Sequence, residues 1–265
     1  MSLGFSVDAL LPKARGGGQL RMGLCRLGEA EWLEPRPDLA ARAEAFAAWP
    51  EAVQLTHEAD GPGREVAAMI GIEGSLPQAA RAAHEDMCLL TRAPGEDAYR
   101  LIGASVAWPT DWHPADKLGL PLRALHAPIA GYEEQLASGV DRFMATLRPG
   151  MIYARANWFI APTASRRWLV EGEAREHFAH VRPDNAGETL FVRSERQTLR
   201  RLPGTGAILF TIGIYVAPLG SLRAENIAML ARAAQTLVSG EGDRRSAPAY
   251  ADALTAFAAE RTRPC

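Results

Sequence analysis

The stretch from Glu188 to Pro218, ETLFVRSERQTLRRLPGTGAILFTIGIYVAP, decides the fold. Its first half sets Arg193, Glu195, Arg196, Arg200 and Arg201 beside apolar residues. Pro203-Gly204-Thr205-Gly206 then suits a tight turn, because proline presets φ at the second turn position and glycine tolerates positive φ at the third. The second half is the most apolar run of the chain. Ile208, Phe210, Thr211, Ile212, Ile214, Tyr215 and Val216 give it the β-branched and aromatic content of a buried strand. On a strand, Ile208, Phe210, Ile212 and Ile214 share one face, and Leu209, Thr211, Gly213 and Tyr215 the other. A glycine inside such a strand marks a close approach by a ligand or another backbone, or else relieves crowding.

The rest of the chain sets the frame. At 265 residues it can bury a full core, and 48% hydrophobic with 23% charged residues is the balance of a soluble globular protein. A net charge of -2 does not suggest a binder of nucleic acid or of an anionic membrane surface. Cys25, Cys88 and Cys265 are widely spaced and form no C-x-x-C, which argues against a cysteine-held metal cluster. Their odd number argues against a disulfide framework. With no apolar signal core and no run long enough to span a bilayer, the expected location is a reducing cytoplasm.

Residues 1–20, with Gly16-Gly17-Gly18, read as a flexible arm. Asp38 suits the cap of a helix that runs to Trp49 and stops at Pro50. Its apolar side would be Leu39, Ala43, Phe46 and Ala47, with Arg42 and Glu44 outward. Residues 65–83 read as helical with a break near Gly74-Ser75-Leu76-Pro77. Met87–Leu90 and Tyr99–Trp108 read as an antiparallel strand pair around the turn Ala93–Asp97. Pro114 suits the start of a short helix and Gly119 its end. Tyr132–Leu147 is an amphipathic helix with Leu136, Val140, Phe143 and Leu147 on one stripe and Ala137 and Met144 beside it. Met151–Ala161 reads as a strand, residues 166–170 as the start of another, and 171–188 as a polar loop. A helix over Leu219–Val238, a break at Gly240–Asp243 and an alanine-rich helix over Ala247–Arg261 complete the chain. The simplest account is an α+β domain over 21–240 with helical flanks, plus a C-terminal helix within 241–265.

Among six histidines, five have polar neighbours, and His126 lies in Leu125-His126-Ala127-Pro128-Ile129. Imidazole in an apolar setting stays neutral, and a neutral ring nitrogen binds haem iron while the other N–H is held by a carbonyl or carboxylate. The alternative is a satisfied, partly buried histidine. His177 and His180, near Glu173 and Glu176, have metal-binding spacing only on a helix, and the segment reads as a solvated loop. On the strand candidate Arg155-Ala156-Asn157-Trp158, Arg155 and Asn157 share a face. They either line a pocket for a carboxylate, a haem propionate or an oxygen species, or form a polar outer face. Arg193, Glu195 and Gln197 share a face in the same way, where Arg and Glu can also pair with each other. No hydrolase, zincin, P-loop, kinase or dinucleotide motif appears.

The string R-S-E-R-Q-T-L-R-R-L-P from Arg193 to Pro203, followed by T-G-A-I-L-F-T-I from Thr205 to Ile212, resembles the haem-binding subunit of the haem-dependent oxidative N-demethylase (dimethylamine monooxygenase) family. Further strings match in order: Met22-Gly23-Leu24, Tyr99-Arg100-Leu101, Trp112, Lys117-Leu118-Gly119, Pro121-Leu122, Leu125-His126-Ala127-Pro128 and Arg155-Ala156-Asn157-Trp158. The resemblance covers roughly residues 20–240 and implies a PAS-like antiparallel sheet with helices packed around a haem. It implies oxidation of a small secondary amine such as dimethylamine by O2, yielding a demethylated amine and formaldehyde. Electrons would come from NADPH through a partner reductase carrying FMN and a 2Fe–2S cluster, which suits a chain lacking cysteine clusters and a dinucleotide loop. Carried onto this sequence, His126 is the iron ligand. Arg155, Trp158, Arg196, Gln197, Gly213 and Tyr215 fall on the cofactor side, and Glu195, Arg193 and Asn157 on the catalytic side. Glu195 suits an ammonium group. The chain departs from the family pattern at Gly213, where the family strand carries arginine, so pocket charge and volume would change if that arginine faced the haem. The reading of another class is a PAS-like haem or small-ligand sensor without turnover, and a third is a relative that has lost haem.

Overall fold

The computed structural model describes residues 3–14, 22–93, 95–96, 98–127, 129, 131–237 and 246–261. Gly16–Gly18, the break at 240–243, Pro94, Asp97 and Pro128 lie outside them. The fold is α+β, built on an open antiparallel sheet. Its strands are β1 (Cys25–Leu27), β2 (Val53–Leu55), β3 (Asp86–Thr91), β4 (Arg100–Ser105), β5 (Ile152–Ala161), β6 (Phe191–Arg201) and β7 (Ile208–Pro218). They run in the order β1-β5-β6-β7-β3-β4-β2. β6 and β7 are the hairpin made by the stretch quoted first. Leu202 N–H donates to Ala207 O at 2.8 Å, and the Thr198 and Thr211 hydroxyls meet at 2.6 Å across the same register. The left-handed residue of the turn is Gly206, at φ +73°, rather than Gly204. The N–H groups of Gly204 and Thr205 instead point at the Glu65 carboxylate, at 2.6 and 2.8 Å. The Thr205 hydroxyl donates to it as well.

The backbone clusters into two compact units, and the division falls within the long strands. One unit gathers Leu20–Arg155 and Arg196–Gly213, and the other Leu3–Gln19, Ala156–Glu195 and Ile214–Cys265. In the first, β3 and β4 form the expected antiparallel pair, with Cys88 opposite Ala104 and a register shift after Leu89. The connection from β4 to β5 carries the helices Pro114–Lys117, Leu122–Leu125 and Ser138–Thr146, with a π-helical turn at Glu133–Ala137. Leu122, Met144 and Leu147 from this connection share a core with Cys88, Leu90, Ile208 and the partly buried Tyr153, Leu199 and Phe210 of the sheet. Each fully buried aliphatic side chain contributes about 1.5–3 kcal/mol. The exposed Arg123–Glu133 ion pair contributes about 0–1 kcal/mol, so packing holds the connection in place. The π turn adds a residue to the helical repeat, and it is Ala137, rather than the expected stripe residue Leu136, that is fully buried.

In the second unit, Val7 and Leu11 of the N-terminal turns Val7–Leu10 and Leu11–Lys13 are buried with Trp158, Ile160, Val192 and Phe178. Ile227 and Leu230 of the Ala224–Gln235 helix and Tyr250 and Leu254 of the Ala247–Arg261 helix complete that core. The strand expected over 166–170 shortens to an isolated bridge residue at Trp168, and the preceding Ser165 and Arg166 carbonyls accept from the Arg193 guanidinium. Asp38 caps the Leu39–Ala48 helix as expected, with Oδ1 accepting from Ala41 N–H at 3.1 Å. The orientation of that helix differs from the expected one. Arg42 is 0% exposed and Leu39 is 47% exposed. The reason is Asp86, which binds Arg42 Nη1 at 2.8 Å and also accepts from the N–H groups of Ala107 and Trp108. The other Arg42 donors reach the carbonyls of Ala80 and Glu85. A buried ion pair holds only when its remaining donors and acceptors are matched in this way.

Candidate functional site

His126 follows the one-turn helix Leu122–Leu125 and is half-buried. Its Nδ1 lies 2.8 Å from the carbonyl oxygen of Leu122, one turn back. A carbonyl only accepts, so Nδ1 carries the proton and Nε2 presents a lone pair. Burial lowers the affinity of the ring for a second proton, and the nearby Arg155 and Lys117 charges lower it further against the Leu122 bond. Tyr132 stacks face to face on the imidazole, with ring centroids 4.4 Å apart and planes 11° apart. Burial pushes the Tyr132 hydroxyl up to about 12, with Asp141 adding to the rise and Arg155 opposing it. The outcome is a neutral imidazole, oriented from two directions, beside two cations.

Arg155 enters this cluster from β5. On that strand Ala154, Ala156, Trp158 and Ile160 are buried, while Tyr153, Arg155 and Asn157 occupy the other face, as the alternation predicts. Arg155 Nε donates to Gln197 Oε1 on β6 at 2.7 Å. His126, Tyr132, Arg155, Gln197 and Lys117 therefore belong to one electrostatic group within the first unit. The donor set suits a haem: Nε2 as iron ligand, and Arg155 and Lys117 for the carboxylates of the macrocycle.

The other sequence-predicted residues are placed as follows. Arg196 points to the opposite face of β6, where its guanidinium donates to the carbonyls of Glu31 and Trp32. Gly213 is buried and lies opposite Arg196 in the hairpin register, so it sits on that same face, away from Arg155 and Gln197. An arginine at 213 would project to that side. Tyr215, two residues on, is half-buried on the same face of β7. In the second unit, Asn157 Nδ2 donates to Glu195 Oε2 at 2.9 Å, and Asn157 Oδ1 is buried without a hydrogen-bond partner. Arg193 is buried and held by the Ser165 and Arg166 carbonyls, and Trp158 is a core residue at 1% exposure. His177 is bonded to the Glu171 carbonyl and edge-on to Trp168. Among the described residues no three His, Cys, Asp or Glu side chains gather to hold a metal ion.

Residues 61–254 match the family described as haem-dependent oxidative N-demethylase, alpha subunit-like. The chain belongs to that family. Every sequence-predicted site residue, from His126 to Tyr215, falls inside the matched span. Oxidoreductase chemistry at a haem is thus the family-level description of this N-demethylase-like subunit. No helix among the described residues is long and apolar enough to cross a membrane. Two members of the His126 group were not singled out from sequence. Tyr132 reads only as the first residue of the amphipathic helix, one turn before the stripe begins at Leu136. Lys117 falls within the short helix begun by Pro114 and in the family-like string Lys117-Leu118-Gly119, with no site role attached to it. Only the path of the loop brings them to the imidazole.

Proposed function

We propose that His126 is the proximal ligand of a haem, and that the chain is the haem-carrying subunit of an oxidative N-demethylase for a small secondary amine such as dimethylamine. The observation that carries this reading is the 2.8 Å contact between His126 Nδ1 and the Leu122 carbonyl, which commits the Nδ1–H and leaves Nε2 as the nitrogen available to a metal. That is the tautomer an iron-binding histidine adopts. When bound, haem supplies the activation of O2 and the acceptance of electrons. The rest falls to this chain. Leu122 keeps the proton on Nδ1. Arg155, braced by Gln197, offers a guanidinium to a carboxylate, and Lys117 offers a second cation. Glu195, held by Asn157, is the carboxylate we assign to an ammonium group, with the buried Asn157 Oδ1 as a further acceptor. Electrons would arrive from a separate NADPH reductase chain bearing FMN and a 2Fe–2S cluster. The antiparallel sheet, with a helical connection packed on one face in the first unit, supports the PAS-like description.

The test is spectroscopic. The purified chain, as isolated or after haem addition, is expected to show a Soret band and to consume dimethylamine with a competent reductase. His126→Ala is expected to lose haem while keeping its far-ultraviolet circular dichroism. Unchanged haem content in that variant rejects the ligand assignment. Haem binding without amine consumption favours a sensor, and no Soret band at all a relative that has lost the cofactor.

A further inference from the structure

The His126 imidazole is constrained twice. The Leu122 carbonyl, 2.8 Å from Nδ1, holds the ring in its own plane. The Tyr132 ring lies against its face at 4.4 Å and blocks rotation out of that plane. A near-parallel pair at this centroid distance is one of the geometries aromatic rings favour, and it needs the backbone around it to bring the two faces together. That backbone is built for it. Tyr132 is 5% exposed, and its ring is walled in. It immediately precedes the π-helical turn Glu133–Ala137, and such turns recur where a helix re-aims side chains at a functional position. Arg123, on the helix before His126, pairs with Glu133 and with Asp141, so both ends of the loop are tied together.

We propose that Tyr132 is a positioning residue for the iron-ligating histidine: its stacked ring fixes the azimuth of the His126 imidazole plane over the macrocycle and slows loss of the cofactor. The inference rests on His126 being the haem ligand. The orientation of an axial imidazole plane sets the in-plane asymmetry felt by the iron, so it is read spectroscopically and not only through stability.

The experiment uses the full chain loaded with haem. The electron paramagnetic resonance of its ferric cyanide adduct reports the plane, and transfer of haem to apomyoglobin reports retention. Tyr132→Phe keeps the stack and is expected to match the wild type in both. Tyr132→Leu is expected to keep stoichiometric haem, with shifted and broadened g values and haem loss faster by about three- to tenfold, the equivalent of a stacked pair's stabilisation. Tyr132→Met, close in volume and flexible enough to fill the space, carries the same expectation and serves if the Leu variant folds poorly. Leu and Met variants with wild-type g values and wild-type haem loss overturn the proposal while leaving His126 as ligand. A His126→Ala protein that keeps haem with an unchanged spectrum removes the underlying reading itself.

Discussion

Glu85 is a carboxylic acid placed where a carboxylate is poorly tolerated. It is 0% exposed, Oε1 accepts from Glu34 N–H at 2.8 Å, and Oε2 is buried without a hydrogen-bond partner. Burial pushes its carboxyl up to about 7, against the Glu34 hydrogen bond and the Arg196 and Arg42 charges. In the unfolded chain it ionises near 4.5. Between those values the folded protein binds the proton and the unfolded one does not, so stability falls as pH rises through that window and levels off above it. Glu85→Gln keeps the acceptor for Glu34 and removes the ionisation. The variant is expected to match the wild type in urea denaturation near pH 4.5 and to exceed it by about 3 kcal/mol at pH 8. Parallel pH profiles for the two proteins would show that the carboxyl does not titrate there. His126 follows the same physics with the opposite sign of charge: burial again favours the neutral form, here the one with a free lone pair.

At the scale of elements, Arg201 ties the helical connection to the sheet. From the end of β6 it donates to the carbonyls of Met144 and Leu147, at 2.5 and 2.6 Å. It also reaches Gly206 O and the Tyr99 hydroxyl, at 2.6 and 2.9 Å. The Met144 and Leu147 carbonyls lie at the C-terminal end of the Ser138–Thr146 helix, where the helix dipole favours a cation. Arg201→Met removes the donor from the Leu147 carbonyl and leaves Met144 O only the Tyr99 hydroxyl, at 3.3 Å, and is expected to lower stability by about 2–4 kcal/mol in denaturant titration, given the worth of charge-assisted bonds and the penalty for an orphaned acceptor. A loss below about 0.5 kcal/mol would mean that water replaces the guanidinium without consequence. Arg200, one residue earlier and on the other face, stacks over Trp32 at 4.1 Å and pairs with Glu29 at 2.7 Å. Two adjacent arginines thus fasten two separate elements, because alternate residues of a strand point to opposite sides.

At the scale of the molecule, a ligand bound only by the folded state stabilises it by mass action. The group around His126 lies within a unit gathered from Leu20–Arg155 and Arg196–Gly213. Haem at a hundredfold excess over its dissociation constant adds about 2.7 kcal/mol. That corresponds to a rise of about 5–10 °C in the melting transition of a unit of this size. Scanning calorimetry with and without haem is the measurement, and His126→Ala should abolish the rise. An equal rise in the variant would place the haem elsewhere. Much of this was readable in advance. The Asp38 cap, the alternation along Arg155–Asn157, the hairpin around Pro203 and the Ala247–Arg261 helix all come from local rules, and the apolar setting of His126 marked it out. Arg42 reads as solvent-facing from its neighbours alone, because the partner that buries it is 44 positions away.

What the amino-acid order determined alone is what depends on neighbours: which segments are helical or extended, where proline and glycine interrupt them, and which residues share a face. Periodicity and capping act within a turn or two, so they are written locally. The family signature, being a string, is local as well. What the tertiary structure decided is which charges and rings meet. Arg196 reaches the carbonyl of Trp32 across 164 positions, Gly213 takes the face opposite Gln197, and Tyr132 closes over His126. Those pairings exist because burial strips water from each group and makes any unmatched partner expensive, a condition set by packing and not by sequence spacing.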